Sequence, residues 1–353
     1  MTNSERDDSI LVLGGSGFVG RAVAVAAADR GWPVTVFNRG RSTMPGARLP
    51  ESVEVVHGDR TAPGALEELA GRRWRAVIDT WSTAPTAVRD AARALEPHAD
   101  RYVYVSSCSV YEFPPPTPTD ESAPVVAGSP DDADGDHYPT AKAGAELAAL
   151  SAFGPERTVL ARAGLIIGPW ENVGRLPWWL ARIARGGDVL APGPRGSALQ
   201  YVDVRDLAAW LLDAAVTDSL RGAYNVVSET GHATMEELLD ACVEATGSGA
   251  RLRWAEPERV LAAGVEPWNE LPIWVPEGHE YRFVYEVDTT RARAAGLRCR
   301  PVAETVADTW EWLRAAGGSL PPHPRRRGRD GTTPPPIGLT PEREAALLAA
   351  LDD

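Results

Sequence analysis

The sequence predicts an α/β chain: a doubly wound parallel sheet with a smaller C-terminal domain. Three observations carry that expectation. Short apolar runs alternate with helical patterns through the first half, as in a parallel sheet covered by helices on both faces. A glycine triplet, Gly14-x-x-Gly17-x-x-Gly20, follows the first apolar run and opens a helical pattern. Beyond Gly168 the alternation gives way to a stretch rich in tryptophan, with Trp170, Trp178, Trp179, Trp254, Trp268 and Trp274.

Taken in order, Ile10 to Leu13 reads as the first strand and Gly17 to Arg30, with its alanines and valines, as a buried helix. Val34 to Phe37, Val53 to His57, Ala76 to Asp79, Tyr102 to Ser106 and Thr158 to Ala161 read as further strands. Pro63 to Ala70, Ala84 to Leu95 and Tyr138 to Ala152 read as the intervening helices. Between Pro114 and Asp136 lies a proline-rich, acidic loop, of a length that serves either as a lid or as a solvated excursion. The chain is expected back at the sheet near Tyr201 to Val204 and Tyr224 to Val227. Thr234 and Glu237 then form a capping box that starts a helix running to about Thr246. The predicted domains are 8–168 with a return at about 199–227, and 169–198 with 228–318. A Pro/Arg-rich tail, 319–353, carries a short helix from Pro341.

With 353 residues, 44% apolar and 24% charged, the chain can bury a large core. Its net charge of -13 argues against a general binder of nucleic acid or anionic membrane. Cys108, Cys242 and Cys299 are scattered and odd in number, which fits neither a disulfide framework nor a metal site and suggests a reducing cytoplasm. No apolar run approaches bilayer-spanning length. Among 36 lysines and arginines the only lysine is Lys142.

A glycine triplet after a first strand lets backbone approach a pyrophosphate, with the helix N-terminus facing the anion. That places Gly14, Ser16, Gly17, Phe18 and Gly20 at a dinucleotide and makes the sheet Rossmann-type. An acid ending the second strand would select NAD. Here Phe37-Asn38-Arg39-Gly40-Arg41 has none, so Arg39 and Arg41 suit the 2′-phosphate of NADP, Arg39 being the better placed and Asn38 a cofactor-binding neighbour, with NAD as the alternative. Asp59 and Arg60 follow the third strand, where Asp59 either reaches the adenine edge or caps the next turn.

These motifs, with Ser106-Ser107-Cys108-Ser109-Val110-Tyr111, Tyr138-x-x-x-Lys142 and Arg162-Ala163-Gly164, resemble the extended short-chain dehydrogenase/reductase family, also called NAD-dependent epimerase/dehydratases. The resemblance runs from residue 10 to about 230. It implies a small-molecule substrate, a homodimer, and Ser107, Tyr138 and Lys142 as catalytic residues. Ser107 polarises a substrate oxygen, Tyr138 exchanges its proton, and the Lys142 ammonium, on the same helix face, favours the phenolate and reaches the nicotinamide ribose.

Departures narrow the reaction. Cys108 and Ser109 replace the Asp-Glu pair of the family's dehydratases. Leu199 stands where its epimerases often hold sugar-nucleotide phosphates with arginine, leaving Arg175, Arg182 or Arg195 as substitutes. In the fourth strand, Val77-Ile78-Asp79-Thr80-Trp81 replaces the family's usual His-Leu-Ala-Ala and resembles an atypical branch. The expected activity is an NADP(H)-dependent oxidoreduction of a carbonyl or hydroxyl. A sugar-nucleotide epimerase with tightly held NAD is the alternative, and a non-catalytic sensor or RNA-associated protein a more distant one.

Overall fold

A computed structural model of the chain describes residues 9–15, 17–40, 48–116, 118–318 and 337–352. Two compact units emerge. The first comprises residues 1–165, 204–228 and 287–299, and the second 166–203, 229–286 and 300–353.

The first unit is built on β1 (Ile10–Leu13), β2 (Val34–Asn38), β3 (Glu54–His57), β4 (Ala76–Asp79), β5 (Tyr102–Ser107), β6 (Thr158–Ala163) and a last strand, Gly222–Val226. All pairings are parallel. The seven-stranded order runs from Gly222–Val226 through β6, β5, β4, β1 and β2 to β3. The direction of winding therefore reverses between β1 and β4, which opens a crevice at the C-terminal strand ends.

Strand alternation assigns the two faces. Leu11, Leu13, Phe37, Val77, Tyr102, Tyr104 and Leu160 share one core with Val88, Ala91, Ala92, Ala145 and Ala149 of α3 (Pro85–Leu95) and α4 (Tyr138–Phe153). Their helical spacing gives α3 and α4 apolar stripes, and alanine lets the two helices pack closely. Elsewhere in the unit, α1 (Phe18–Asp29) packs on helix Val204–Val216. Between α1 and α3, α2 is only Glu67–Ala70. The longer helix predicted from Pro63 fails because Gly64 takes φ +74, which no right-handed helix includes.

The proline-rich loop is pinned to the unit. Val126 N donates to Val110 O at 2.8 Å, Glu112 N to Pro124 O at 2.9 Å, and Thr86 N to Asp132 O at 3.1 Å. A side chain at Gly144 of α4 would collide with the Ser129 carbonyl.

Two boundaries differ from the sequence expectation. Val202–Asp203 pairs with Ile166–Ile167 in a two-stranded ladder of the second unit rather than with the main sheet. There the carboxylate of Asp203 is fully buried, 3.7 Å from Arg300, and the chain re-enters the first unit as the helix from Val204. Residues 287–299, expected in the second domain, belong to the first. Asn225 Nδ2 donates to Asp288 O at 2.9 Å, and the Arg291 guanidinium lies 4.3 Å over the Tyr224 ring.

Within the second unit, the Thr234–Glu237 capping box opens helix Met235–Thr246 as expected. Trp179 and Trp274 are core residues whose indole N–H groups donate to Pro272 O at 2.7 Å and Gly193 O at 2.9 Å. Trp170 stacks at 5.6 Å on Trp312. Helix Pro341–Asp352 is held in this unit by a buried Arg182–Glu344 ion pair, by Leu190 N donating to Glu344 Oε1 at 3.1 Å, and by buried Leu339 and Leu347. Among the described residues, no helix is long and apolar enough to cross a membrane, and no group of three His, Cys, Asp or Glu side chains is placed to hold a metal ion.

Candidate active site

The turn after β1 sits at the reversal of the sheet. Gly14 N donates to Phe37 O of β2 at 2.9 Å, while Thr80, after β4, donates to Leu13 O through its amide at 3.1 Å and its hydroxyl at 3.0 Å. Gly14 adopts φ +103, and a side chain there would collide with the Thr80 hydroxyl. A Cβ at Gly15 would lie 2.5 Å from Val36 Cγ1, and one at Gly20 2.6 Å from Gly14 O. Gly17 differs. Its Cβ would meet nothing nearer than Gly14 O at 3.9 Å, so this glycine keeps open the space before α1.

Gly17 caps α1 without a side-chain hydrogen bond, and no acid lies in the first turn. Open space before uncapped amides, with no competing carboxylate, fits a dinucleotide pyrophosphate. Phe18 is buried as part of the helix's inner face. Ser16 and Arg41 lie outside the described residues.

At the end of β2, the Asn38 carbonyl Oδ1 accepts from Gly40 N at 2.7 Å and lies 3.2 Å from His57 Nδ1. Arg39 is exposed and has no hydrogen-bonded or ion-paired partner among the described residues. Asp59 Oδ1 accepts from Thr61 N at 3.1 Å and from its hydroxyl at 2.7 Å, the turn-capping arrangement. Arg60, expected at the cofactor, is buried instead. Its two terminal nitrogens each donate to an oxygen of Asp79 at 2.7 Å, and one also donates to Ala87 O at 3.0 Å.

Tyr138 and Lys142 begin α4, where Pro139 at the second position suits a helix start. Tyr138 is 45% exposed, whereas Lys142 is buried. The ammonium lies 5.9 Å from the Tyr138 ring centroid and 4.7 Å from that of Tyr104. It donates to Trp81 O at 2.8 Å and Val105 O at 2.7 Å. Burial pushes its pKa down to about 7, against the opposing pull of Asp79 and Glu146. His137, just before Tyr138, is exposed, with Nδ1 3.3 Å from the Thr140 hydroxyl.

Ser107 ends β5 and caps the short turn Cys108–Val110, accepting from Ser109 N at 3.1 Å and bonding the Ser109 hydroxyl at 3.1 Å. Ser106 faces inward and donates to Glu146 at 2.6 Å. Only Ser107 and Ser109 of this serine cluster therefore keep hydroxyls on the turn. Cys108 is buried, its thiol pushed up to about 12 by desolvation, so it offers no thiolate at neutral pH.

Sequence reasoning did not find the groups that hold Lys142: the Trp81 and Val105 carbonyls and the ring of Tyr104. Its one signal was the unusual Asp79-Thr80-Trp81 segment, whose carbonyl turns out to be a ligand of the lysine.

Parallel strands, an open glycine turn and a Tyr-x-x-x-Lys helix start together define a Rossmann-type fold. A profile of the NAD dependent epimerase/dehydratase family matches residues 10–85 and 75–226, and the chain belongs to that family. It is 28% identical over 262 residues to the epimerase family protein SDR39U1 of Bos taurus, covering 68% of this chain and 81% of that protein. In fold it is similar to the Bordetella bronchiseptica enzyme WbmH in complex with NAD+, with a TM-score of 0.65 at 19% identity over 87% of this chain and 98% of that one. The Thermus thermophilus UDP-glucose 4-epimerase complex with NAD is likewise similar, with a TM-score of 0.61 at 21% identity over 87% and 99% of the two chains.

Proposed function

We propose that the chain is an NADP(H)-dependent oxidoreductase acting on a carbonyl or hydroxyl of a small molecule, with Ser107, Tyr138 and Lys142 at its centre. The observation that carries this reading is the pairing of a half-exposed Tyr138 with the chain's sole lysine, buried one helical turn later. Bound at the glycine turn, a nicotinamide dinucleotide supplies hydride exchange. The Ser107 hydroxyl donates to the substrate oxygen, and Tyr138 exchanges its phenol proton with that oxygen. The Lys142 ammonium favours the phenolate that remains after proton transfer. Arg39, exposed and without a hydrogen-bonded or ion-paired partner among the described residues, is the residue for a 2′-phosphate.

Nucleotide titration tests this reading. NADPH is expected to bind more tightly than NADH, and Arg39→Ala to weaken NADPH by roughly tenfold or more while leaving NADH unchanged. A preference for NADH would overturn the NADP assignment.

The second reading is a sugar epimerase that retains its cofactor through the catalytic cycle, and the NAD-bound epimerase among the structural neighbours favours it. Nicotinamide that copurifies and does not exchange would select it over the reductase. Of the arginines considered for sugar-nucleotide phosphates, Arg182 is committed to Glu344, Gly186 O and Asp188 O. Arg195 pairs with Glu236 at 3.0 Å on the surface.

A further inference from the structure

Lys142 lies between two buried ion pairs. On α4 and β6, Glu146 accepts from Arg162 at 3.0 and 2.8 Å and from Ser106 at 2.6 Å. At the end of β4, Asp79 is fully buried, and its two oxygens accept from Arg60, from the Tyr102 hydroxyl at 2.5 Å and from Trp81 N at 2.9 Å. Each carboxylate is therefore saturated by arginine and hydroxyl groups, and the two hydrogen bonds of the lysine given above go to backbone carbonyls.

One of those carbonyls belongs to the residue whose amide Asp79 holds. Trp81 is gripped on both sides of its Cα. Its N–H is fixed by Asp79, and its carbonyl accepts from Lys142 Nζ and, at 3.0 Å, from the Tyr104 hydroxyl. The indole is fixed as well, through Nε1 donating to Ala84 O at 3.0 Å and through the Arg60 guanidinium 5.1 Å over its ring. Rotation of the Asp79–Trp81 segment would swing the carbonyl away from the lysine, and the Arg60–Asp79 clamp opposes that rotation.

We propose that Asp79, clamped by Arg60, is a positioning residue for Lys142: it sets the Trp81 carbonyl as a fixed acceptor for the ammonium and places a buried negative charge that favours the charged lysine. The groups that bear on Lys142 are Asp79 from β4, Tyr104 from β5, and Tyr138 and Glu146 from α4, with Arg60 and Tyr102 on Asp79 and Arg162 on Glu146. Asp79 acts against the desolvation that lowers the lysine. Its own carboxyl, which burial alone would raise, is held below the usual range by Arg60, Tyr102 and Trp81 N, so it stays ionised across the range where Lys142 titrates. The importance of this device for turnover rests on the Tyr138–Lys142 reading above.

A single lysine makes the test direct. Protein grown with 13C-labelled lysine gives one lysine side-chain signal, and its NMR titration reads Lys142 without cofactor or substrate. Failure here is therefore distinguishable from failure of the nucleotide titration. In Asp79→Asn the midpoint is expected to fall by about one pH unit or more. Because that variant leaves Arg60 buried and unpaired, the triple change Arg60→Met, Asp79→Leu, Tyr102→Phe replaces the cluster by apolar groups. It is expected to fold and to lower the midpoint by a smaller amount. A folded variant of either kind whose Lys142 midpoint stays at the wild-type value would overturn the proposal.

Discussion

A buried ammonium concentrates its charge on one atom, and desolvating it costs more than desolvating a guanidinium whose charge is spread over a plane. Among the described residues, the buried arginines Arg60, Arg162 and Arg182 each have a buried carboxylate partner. Lys142 meets carbonyls and aromatic rings instead, so it carries a stability penalty that has a definite pH signature. Its folded-state pKa of about 7 lies below the unfolded value. Between about pH 7 and 10 the unfolded chain therefore binds more protons than the folded one at this site, and stability contributed here rises with pH. Below that window both states are protonated and the full penalty remains. Relative to Lys142→Met, the wild type is expected to gain on the order of a few kcal/mol as pH rises through the window. Parallel urea titrations at several pH values measure this. A difference that stays flat, or that moves the other way, would mean the lysine is not desolvated as described.

At the scale of elements, the turn between β1 and α1 contains glycines with two different jobs, and substitution separates them. Gly20→Ala drives a Cβ to 2.6 Å from the Gly14 carbonyl, so it is expected to destabilise the first unit by about 1–3 kcal/mol. Gly17 has extended backbone, φ -92 and ψ 178, and open space around its Cβ direction. Gly17→Ala should cost no more than about 1 kcal/mol of stability, yet abolish tight nucleotide binding because the new methyl occupies the approach to the helix. Melting curves beside nucleotide titrations check the contrast; equal losses in both variants would remove the steric argument. This turn was legible in the sequence because strand, glycine spacing and helix are local. The fate of Arg60 was not. Its partner Asp79 is 19 residues away, and a pairing across two strands leaves no mark in local spacing. The same limit hid the Trp81 and Val105 carbonyls, since backbone acceptors have no residue type to recognise.

Across the whole molecule, sequence reasoning recovered the parallel sheet from its alternating pattern but misplaced two crossings between the units. Val202–Asp203 is an apolar-acidic pair like many strand ends, and only its partner, Ile166–Ile167, assigns it to the second unit. Helix Pro341–Asp352 was predicted as a short helix at the end of a tail, whereas it contributes a buried carboxylate to the second unit. Removing that group in Glu344→Ala leaves Arg182 buried without its anion and is expected to cost about 3–5 kcal/mol. A denaturant melt followed by tryptophan fluorescence, to which Trp178, Trp179 and Trp274 of that unit contribute, would register the loss. An unchanged midpoint would show that the Gly186 and Asp188 carbonyls suffice for Arg182. The pairing also has a consequence in time. Arg182 and Glu344 are separated by 162 positions, and synthesis at about 5–20 residues per second leaves the arginine waiting roughly 10–30 s for its partner. During that interval the nascent second unit exposes a cation and the apolar surface that Leu339 and Leu347 later cover.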